Sequence, residues 1–336
     1  MLLPCMIDVQ VSPDYLHVMV GVLGSQILVT GALGQIGSDL TTTLQAMYGK
    51  GSVLTTDIRD EGSQGGPFQL LDVLDYDAIS RAISEHSIDT IYHLAAVLSA
   101  HGEKDPDLCE RVNLGGLQNI LDAARNHGCR VFAPSSIAVF GPDSRPIAMQ
   151  HSPLSPTTVY GRTKKEGEEM MLKYFQNYGV DARGLRYPGL LSWTTPPTGG
   201  TTDYAVQVFY GIHENEKYDF FVRGDTKLPM MMMQDAIRAT MELMSAPSEK
   251  LSRWRPGYNV RGVSFSAMEL AHCIRRRRPN AVMRFIPDER QQIADTWPED
   301  VDDAPARNDW GWESRFDIDQ LVDSMMVGVA QSSSSS

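Results

Sequence analysis

The chain has 336 residues, of which 42% are apolar and 21% charged, which is the ordinary composition of a soluble globular protein with a large core. Its 42 acidic and 30 basic residues give a net charge of −12, and phosphate backbones would repel such a chain, so a nucleic-acid partner is not expected. No apolar run reaches the roughly 20 residues that a membrane-spanning helix needs, so no membrane partner is expected either.

The N-terminal segment 1–24 contains no Lys or Arg and carries two acidic residues, Asp8 and Asp14. It therefore resembles neither a secretory signal nor a basic transit peptide, and both a disordered extension and a targeting role stay open. At the other end, the serine run predicts a flexible tail over 331–336.

From Gln26 onward, short apolar runs alternate with helical periodicity. The runs predict strands over 27–29, 53–56, 90–94, 130–133 and 182–187. Helices are predicted between them: one from Ile36 to Gly49, one after Asp75, one from Leu108 to near Gly128, and one over 163–176.

This alternation predicts an α/β fold, a Rossmann-type doubly wound parallel sheet covered by helices on both faces. The pattern loosens after Pro188, where helices are expected only over 235–244, 266–275 and 317–327. We therefore expect a dinucleotide-binding domain over 25–187. A smaller mixed substrate lobe should cover 188–330, with some of its elements returning to the sheet.

Four separated cysteines show no metal-ligand spacing, so they are interpreted as reduced thiols of an intracellular protein and no metal site is expected. They are Cys5, Cys109, Cys129 and Cys273.

The four consecutive methionines over 230–233 are interpreted as core residues rather than as a ligand surface.

A glycine motif follows the first predicted strand directly. Gly31, Gly34 and Gly37 are spaced as GxxGxxG at the start of a helix, with Gln35 and Ile36 between the last two. Glycines at such a turn let the backbone approach a pyrophosphate, which binds the N–H groups at the helix start. Because strand, glycines and helix come in the required order, the segment predicts a dinucleotide site.

Asp57 ends the second predicted strand, 20 residues after Gly37. A carboxylate at this place binds the adenosine ribose and repels a 2′-phosphate, which favours NAD, although Arg59 leaves NADP open. Asp72, followed by Val73, is a candidate for the adenine amino group, and a solvated loop carboxylate or helix cap is the alternative.

Tyr160 and Lys164 stand four residues apart, so on a helix they share one face. A nearby ammonium favours a phenolate, by about 1.4 kcal/mol per pKa unit, and a phenolate can take a hydroxyl proton while a hydride leaves the same carbon. The pair predicts the acid/base of an oxidoreductase; a surface pair is the alternative.

Ser135 and Ser136 end the fourth strand, where ligands bind in open parallel sheets. Either serine can orient the substrate oxygen, and a serine that caps a turn is the alternative.

Together these segments resemble the extended short-chain dehydrogenase/reductase superfamily over about residues 27–243. The resemblance implies that Ser136, Tyr160 and Lys164 are catalytic, with Ser135 the less favoured serine. It also implies that residues besides the glycine motif and Asp57 contact NAD, namely Asp72, Val73, Leu94, Ala95, Ala96, Asn113, Tyr160, Lys164, Tyr187 and Pro188.

Further stretches resemble the branch of this superfamily that oxidises the 3-hydroxyl of L-threonine to 2-amino-3-ketobutyrate with NAD⁺. They are 94–100, 186–189, 199–205 and 225–231, and Trp297–Pro298 followed by Asp302–Asp303. The resemblance implies a homodimer, a mitochondrial location in eukaryotes and a small amino-acid substrate. A cytoplasmic location is the alternative, because the N-terminus lacks the basic residues of a transit peptide. It also implies substrate contacts from Ser99, Ser136, Tyr160, Thr201, Thr202 and Trp297. For Trp297, core packing is the alternative.

Two other functions compete with this interpretation. A sugar-nucleotide epimerase or dehydratase uses the same three catalytic residues, but it needs basic side chains for a diphosphate, and the Arg275–Arg278 run is typical of a solvated helix end. A non-catalytic NAD-sensing protein has no need of the Tyr160–Lys164 pair. The sequence therefore favours a dehydrogenase.

Overall fold

The computed structural model describes residues 24–60, 65–195 and 200–335, so the segment 1–23 lies outside the described residues. In chain order the strands are β1 (Ile27–Thr30), β2 (Val53–Asp57), β3 (Phe68–Leu70), β4 (Thr90–His93), β5 (Arg130–Phe132), β6 (Ser135–Ser136), β7 (Ile147–Ala148), β8 (Ala182–Arg183), β9 (Leu185–Tyr187), β10 (Gly189–Leu191), β11 (Lys217–Phe220), β12 (Lys227–Met232), β13 (Tyr258–Asn259), β14 (Val263–Ser266), β15 (Val282–Phe285) and β16 (Asp300–Val301). The α-helices are α1 (Gln35–Tyr48), α2 (Tyr76–Glu85), α3 (Ser99–Lys104), α4 (Pro106–Glu110), α5 (Leu117–His127), α6 (Val159–Tyr178), α7 (Tyr204–Asn215), α8 (Met233–Ser245), α9 (Ala267–Arg277), α10 (Arg290–Ala294), α11 (Ala304–Trp310) and α12 (Ile318–Ser335).

A six-stranded parallel sheet in the order β3-β2-β1-β4-β5-β8 forms the N-terminal part. Side chains along β1 alternate between two cores, because successive residues of a strand point to opposite faces. Ile27 and Val29 pack with α1 and α8, whereas Leu28 packs with α2 and α5. The predicted doubly wound α/β fold is confirmed, and its strand order reverses between β1 and β4, where such sheets bind ligands.

The helix boundaries follow local chemistry. Gly49 and Gly128 end α1 and α5 with positive φ angles of 87° and 76°. The Asp75 carboxylate caps α2 by accepting from Ala78 N at 2.9 Å. The first two predicted helices begin and end close to the expected residues, whereas the helix predicted from Leu108 to near Gly128 is divided into α4 and α5 by a π-helical turn, Arg111–Gly116.

The predicted strand over 182–187 breaks in two at Gly184. A Cβ atom there would lie 2.4 Å from Pro256 O and 2.5 Å from Ala133 O, so two backbones cross at this point. The chain leaves the main sheet after β8, and β9 joins a small parallel sheet in the order β13-β9-β6. This second sheet carries the serine pair.

The C-terminal part has a core of its own around α7, β11, β12, β14, α9 and α12. Residues 230–233 are buried, as predicted for core methionines. The helix α12 continues to Ser335, and the Ser332 hydroxyl donates to Val329 O at 3.0 Å, while the flexibility of the tail over 331–336 stays a prediction. None of the helices within the described residues is long and apolar enough to cross a membrane.

Candidate active site

The first strand-to-helix turn packs a glycine backbone against the end of β4. Gly31 has φ +67°, and a Cβ atom on it would lie 2.6 Å from Ala95 N. A Cβ atom on Gly37 would lie 2.3 Å from Gly31 O, so α1 can approach β1 only with glycine at this position. Gly34 is the N-cap of α1, and because glycine has no side chain, no N-cap side chain covers the first N–H groups of the helix. This backbone suits a pyrophosphate.

Asp57 lies at the carboxyl end of β2 beside this turn and is 7% exposed. Its Oδ2 accepts from Leu33 N at 3.1 Å, and its Oδ1 accepts from Arg59 N at 3.1 Å and Arg59 Nε at 3.2 Å. These bonds hold the carboxylate beside the glycine turn, and its contact with a ribose stays a prediction. Arg59, whose side chain is about half exposed, lies at the same edge of the sheet because it pairs with Asp57.

Asp72 and Val73 lie on the loop after β3. The Asp72 carboxylate is exposed and accepts from Leu74 N at 2.9 Å, which is a local turn contact. Val73 is buried, and a Cβ atom on Gly116 would lie 2.8 Å from its Cγ2. The turn contact agrees with the loop-carboxylate alternative, and the adenine contact remains a prediction.

Asn113 fixes the segment that follows β4. It lies in a π-helical turn, Arg111–Gly116, and such turns are frequent at functional sites. Its Oδ1 accepts from Val97 N at 2.8 Å, while its Nδ2 donates to Val97 O at 3.1 Å and to Thr163 Oγ1 at 3.0 Å. Ala95 and Ala96, which precede Val97, line a small cavity with Asn113 and Lys164. Asn113 thereby ties this segment to α6.

The helix α6 presents Tyr160 and Lys164 from its first two turns, as the four-residue spacing predicts. Its N-terminus is held by Thr158, whose Oγ1 accepts from Gly161 N at 3.0 Å, and by Glu103, whose Oε1 accepts from Val159 N at 2.6 Å. A Cβ atom on Gly161 would lie 2.2 Å from Ala138 O, so glycine lets α6 approach the turn after Ser136 closely.

The electrostatics of this pair differ from the prediction. Lys164 Nζ donates to Pro134 O at 2.9 Å and lies 5.5 Å from the centre of the Tyr160 ring. Burial raises the pKa of Tyr160 to about 12, and the opposing effect comes from a hydrogen bond with Ser136 rather than from Lys164. Burial also lowers the pKa of Lys164 to about 8. The contact that lowers the pKa of Tyr160 in this structure is therefore the one with Ser136, and the role of Lys164 stays a prediction.

The two serines have different partners, which separates their roles. Ser135 is buried, and its Oγ donates to Glu168 Oε1 at 2.5 Å. Ser136 Oγ accepts from Ala138 N at 3.2 Å and contacts Tyr160. Ser136 is therefore the serine that faces the acid/base, and Ser135 is engaged elsewhere.

One cavity of about 750 Å³, measured with its open mouth, collects the residues predicted to contact substrate. Its wall includes Gln35, Ile36, Ser99, Ser136, Tyr160, Tyr187, Pro188, Thr201, Thr202 and Trp297. Trp297 is 5% exposed and also belongs to the C-terminal core, which agrees with the core-packing alternative, and its substrate contact stays a prediction. The cavity thus joins the start of α1, the serine strand and the segment before α7.

Two polar residues near these cavities were missed by the sequence analysis. Asp203 lines the larger cavity and accepts from Gly200 N at 2.7 Å. The sequence feature that could have indicated Asp203 is a single carboxylate directly after the Thr201–Thr202 pair. His93 ends β4, bonds Thr30 Oγ1 through Nδ1 at 2.9 Å, and lines the smaller cavity with Lys164. Burial lowers the pKa of His93 to about 3, so the ring is neutral.

Comparison with known proteins gives the site its context. Residues 27–260 match the model of the NAD dependent epimerase/dehydratase family. A bovine protein named mitochondrial L-threonine 3-dehydrogenase is 42% identical over 306 residues, which cover 90% of this chain and 82% of that protein.

Solved structures are similar over most of the chain. The crystal structure of an L-threonine dehydrogenase from Phytophthora infestans has a TM-score of 0.89 and 43% identity, and covers 92% of this chain and 100% of that one. A monomeric L-threonine 3-dehydrogenase from a metagenome has a TM-score of 0.87 and 46% identity, covering 91% and 99%. The likeness therefore extends through the C-terminal part, where Thr201, Asp203 and Trp297 lie.

Proposed function

The chain belongs to the NAD dependent epimerase/dehydratase family, and we propose that it oxidises the 3-hydroxyl of L-threonine with NAD⁺ to give 2-amino-3-ketobutyrate. The observation that carries the proposal is the cavity in which Tyr160 and Ser136 face Thr201, Thr202 and Asp203. It brings an acid/base together with hydrogen-bonding groups for a small zwitterion.

The residues at the first βα turn fit NAD. Gly31 and Gly37 leave no room for a Cβ atom, the N-cap of α1 is glycine, and Asp57 places a carboxylate at the end of β2. A 2′-phosphate on the ribose would meet that carboxylate, which favours NAD over NADP. When bound, NAD⁺ supplies the acceptor for the hydride that leaves C3 of the substrate.

The chain's own residues handle the proton and the orientation. Tyr160, as phenolate, accepts the proton of the substrate 3-hydroxyl, and Ser136 hydrogen-bonds the same oxygen and lowers the pKa of Tyr160. Lys164, held by Pro134 O, would bind the ribose of the nicotinamide half of NAD and supply a cation there. Trp297 covers the cavity with an apolar ring and excludes water from the reacting carbon.

The charges around the cavity favour an amino acid over a sugar nucleotide. Asp203 is the one charged side chain in the described part of the cavity wall. A carboxylate there binds the substrate ammonium, and the Thr201 and Thr202 hydroxyls suit its carboxylate and hydroxyl groups. A nucleoside diphosphate would need Lys or Arg to balance its phosphates, and the described wall contains neither.

The experiment is a side-by-side assay of NADH formation at saturating NAD⁺. L-Threonine should be oxidised, D-threonine and L-allo-threonine should react far more slowly, and UDP-galactose should be inert. Inverting a stereocentre leaves a buried site group unpaired, which costs about 1–3 kcal/mol. Turnover of UDP-galactose without any response to L-threonine would move the chain to the epimerase branch.

We also propose that the protein is a homodimer in mitochondria. The resemblance to the superfamily supports the dimer, and the name of the bovine relative supports the location. Light scattering after gel filtration should give twice the chain mass of 37.2 kDa, and a mass of one chain, as in the monomeric metagenome relative, would contradict the dimer.

Fluorescence imaging of the full chain with a C-terminal tag should place the signal in mitochondria, and a diffuse signal would contradict that location.

A further inference from the structure

The helix α6 carries a further ionisable residue, Glu168, on the face that presents Tyr160 and Lys164. Glu168 follows Lys164 by four residues, so all three side chains lie along one face of α6. Its carboxylate is only 8% exposed, although it is eight residues away from the acid/base. A buried carboxylate is costly unless it is paired, so its partners define its role.

Both oxygens of Glu168 are engaged. Oε1 accepts from Ser135 Oγ at 2.5 Å and from Arg186 Nε at 2.8 Å, and Oε2 accepts from Arg186 Nη2 at 2.7 Å. The Arg186 side chain is 4% exposed. These three residues, called the Glu168 clamp below, form a charge-assisted contact in which the guanidinium binds the carboxylate through two parallel bonds.

The clamp lies directly beside the residues that line the cavity. In the small sheet, Ser135 pairs with Arg186 and Ser136 pairs with Tyr187. Successive side chains of a strand point to opposite faces, so Ser135 and Arg186 reach Glu168 while Ser136 and Tyr187 reach the cavity, whose wall also includes Ser135. Ser135 and Arg186 are each one residue from a residue of the site, and Glu168 is about one helical turn from Lys164 and about two from Tyr160.

The clamp ties α6 to the serine strand, as does the bond from Lys164 Nζ to Pro134 O at 2.9 Å. No backbone ladder joins a helix to a strand, and an α-helix rises about 1.5 Å per residue, so a slide of less than one residue would change the contact between Tyr160 and Ser136. Arg186 is held in turn by Asn259 Oδ1 at 3.3 Å and Gln150 O at 3.2 Å. A Cβ atom on Gly257 would lie 2.4 Å from the Glu168 carboxyl carbon, so glycine leaves room for the carboxylate.

We infer that Ser135, Glu168 and Arg186 are positioning residues that hold the Tyr160 hydroxyl against Ser136. The inference rests on the proposed function, since its readout is threonine oxidation. Removing one partner of a buried ion pair destabilises a protein strongly, so Glu168 and Arg186 variants would mix folding with catalysis. Ser135 is the better probe because its loss leaves the ion pair intact.

The experiment compares Ser135→Ala with Ser144→Ala. Ser144 is equally buried and donates to Pro153 O at 2.9 Å, so it is a control for losing one buried serine hydrogen bond. We expect Ser135→Ala to lower kcat about 10- to 100-fold, because a misplacement of about 1 Å costs up to that factor, with the Kd for NAD⁺ within twofold of wild type. kcat should also level off at a higher pH than in wild type, because the contact with Ser136 that lowers the pKa of Tyr160 is weakened. Ser144→Ala should keep the wild-type kcat and pH profile.

Ser135→Thr, which restores a hydroxyl, should recover most of kcat. If Ser135→Ala does not fold, Ser135→Cys replaces it, with the same direction expected for kcat and pH profile. A wild-type kcat and pH profile in the alanine or cysteine variant, or no recovery with threonine, would overturn the inference. If wild-type protein itself does not oxidise L-threonine, the proposed function fails instead.

Discussion

The backbone of Gly31 lies so close to Ala95 that a Cβ atom on residue 31 would stand 2.6 Å from the Ala95 nitrogen. Gly31→Ala should therefore shift the glycine turn away from β4, and a φ of +67° adds about 1–2 kcal/mol of strain for alanine. We expect the Kd for NAD⁺ to rise at least about 10-fold by calorimetry. Gly51→Ala, where a Cβ atom meets open space, is the matched control. Equal Kd values for both variants would show that the turn does not bind the cofactor.

Tyr160→Phe should keep NAD⁺ binding and lose most turnover, because only the proton acceptor is removed. A general base contributes about 10²–10⁴ in rate, so kcat should fall by that factor. Tyr178→Phe, at the exposed end of the same helix, should keep the wild-type kcat. Retention of more than a third of turnover in Tyr160→Phe would exclude Tyr160 as the base.

Ser136→Ala should move the pH dependence of kcat. Burial raises the pKa of Tyr160 to about 12 and the Ser136 hydrogen bond lowers it, so removing the hydroxyl raises the pKa further. The base acts as phenolate, so a higher pKa leaves less of the active form at a given pH. kcat, measured from pH 7 to 10.5, should be lower than in wild type and should still rise at the pH where the wild-type value levels off. A variant whose kcat levels off at the wild-type pH would show that Ser136 only holds substrate.

Asp57→Ala should weaken NAD⁺ binding and improve the relative use of NADP⁺. The carboxylate can no longer accept from the ribose or repel a 2′-phosphate, while Arg59 stays at the same edge. The measurement is the ratio of kcat/KM for the two cofactors, with Asp77→Ala in the first turn of α2 as a control. An unchanged ratio would place cofactor choice elsewhere in the chain.

The parts of this site that follow from local chemistry are predictable from the sequence. The order of strand, glycines and helix predicts the turn at Gly31, and a four-residue spacing predicts that Tyr160 and Lys164 share a face. In both cases the determining residues are neighbours along the chain. The C-cap glycines at Gly49 and Gly128 were predictable for the same reason.

Features that depend on long-range contacts were not predictable. The choice between Ser135 and Ser136 depends on Glu168, which is more than 30 residues further along the chain. The break in the strand at Gly184 depends on the backbone at Pro256. The hydrogen bond from Lys164 to Pro134 O depends on how the serine strand packs against α6. The strand β3 was missed because it is short and none of its residues is fully buried, so it shows no apolar pattern.

Asp203→Asn tests how the cavity recognises an amino acid. Asparagine can still accept from Gly200 N, so the local turn is kept while the negative charge at the cavity wall is lost. A hydrogen bond to a charged group contributes about 1.5–3 kcal/mol, so KM for L-threonine should rise about 10- to 100-fold, with the Kd for NAD⁺ unchanged. The companion substrate is 3-hydroxybutyrate, which has the same carboxylate and 3-hydroxyl but no ammonium. The variant should lose its preference for threonine over this compound, because the group that distinguishes the two no longer meets a carboxylate. If the ratio of kcat/KM for the two substrates stays at the wild-type value, Asp203 does not bind the ammonium, and the selectivity for an amino acid must come from Thr201, Thr202 or Ser99.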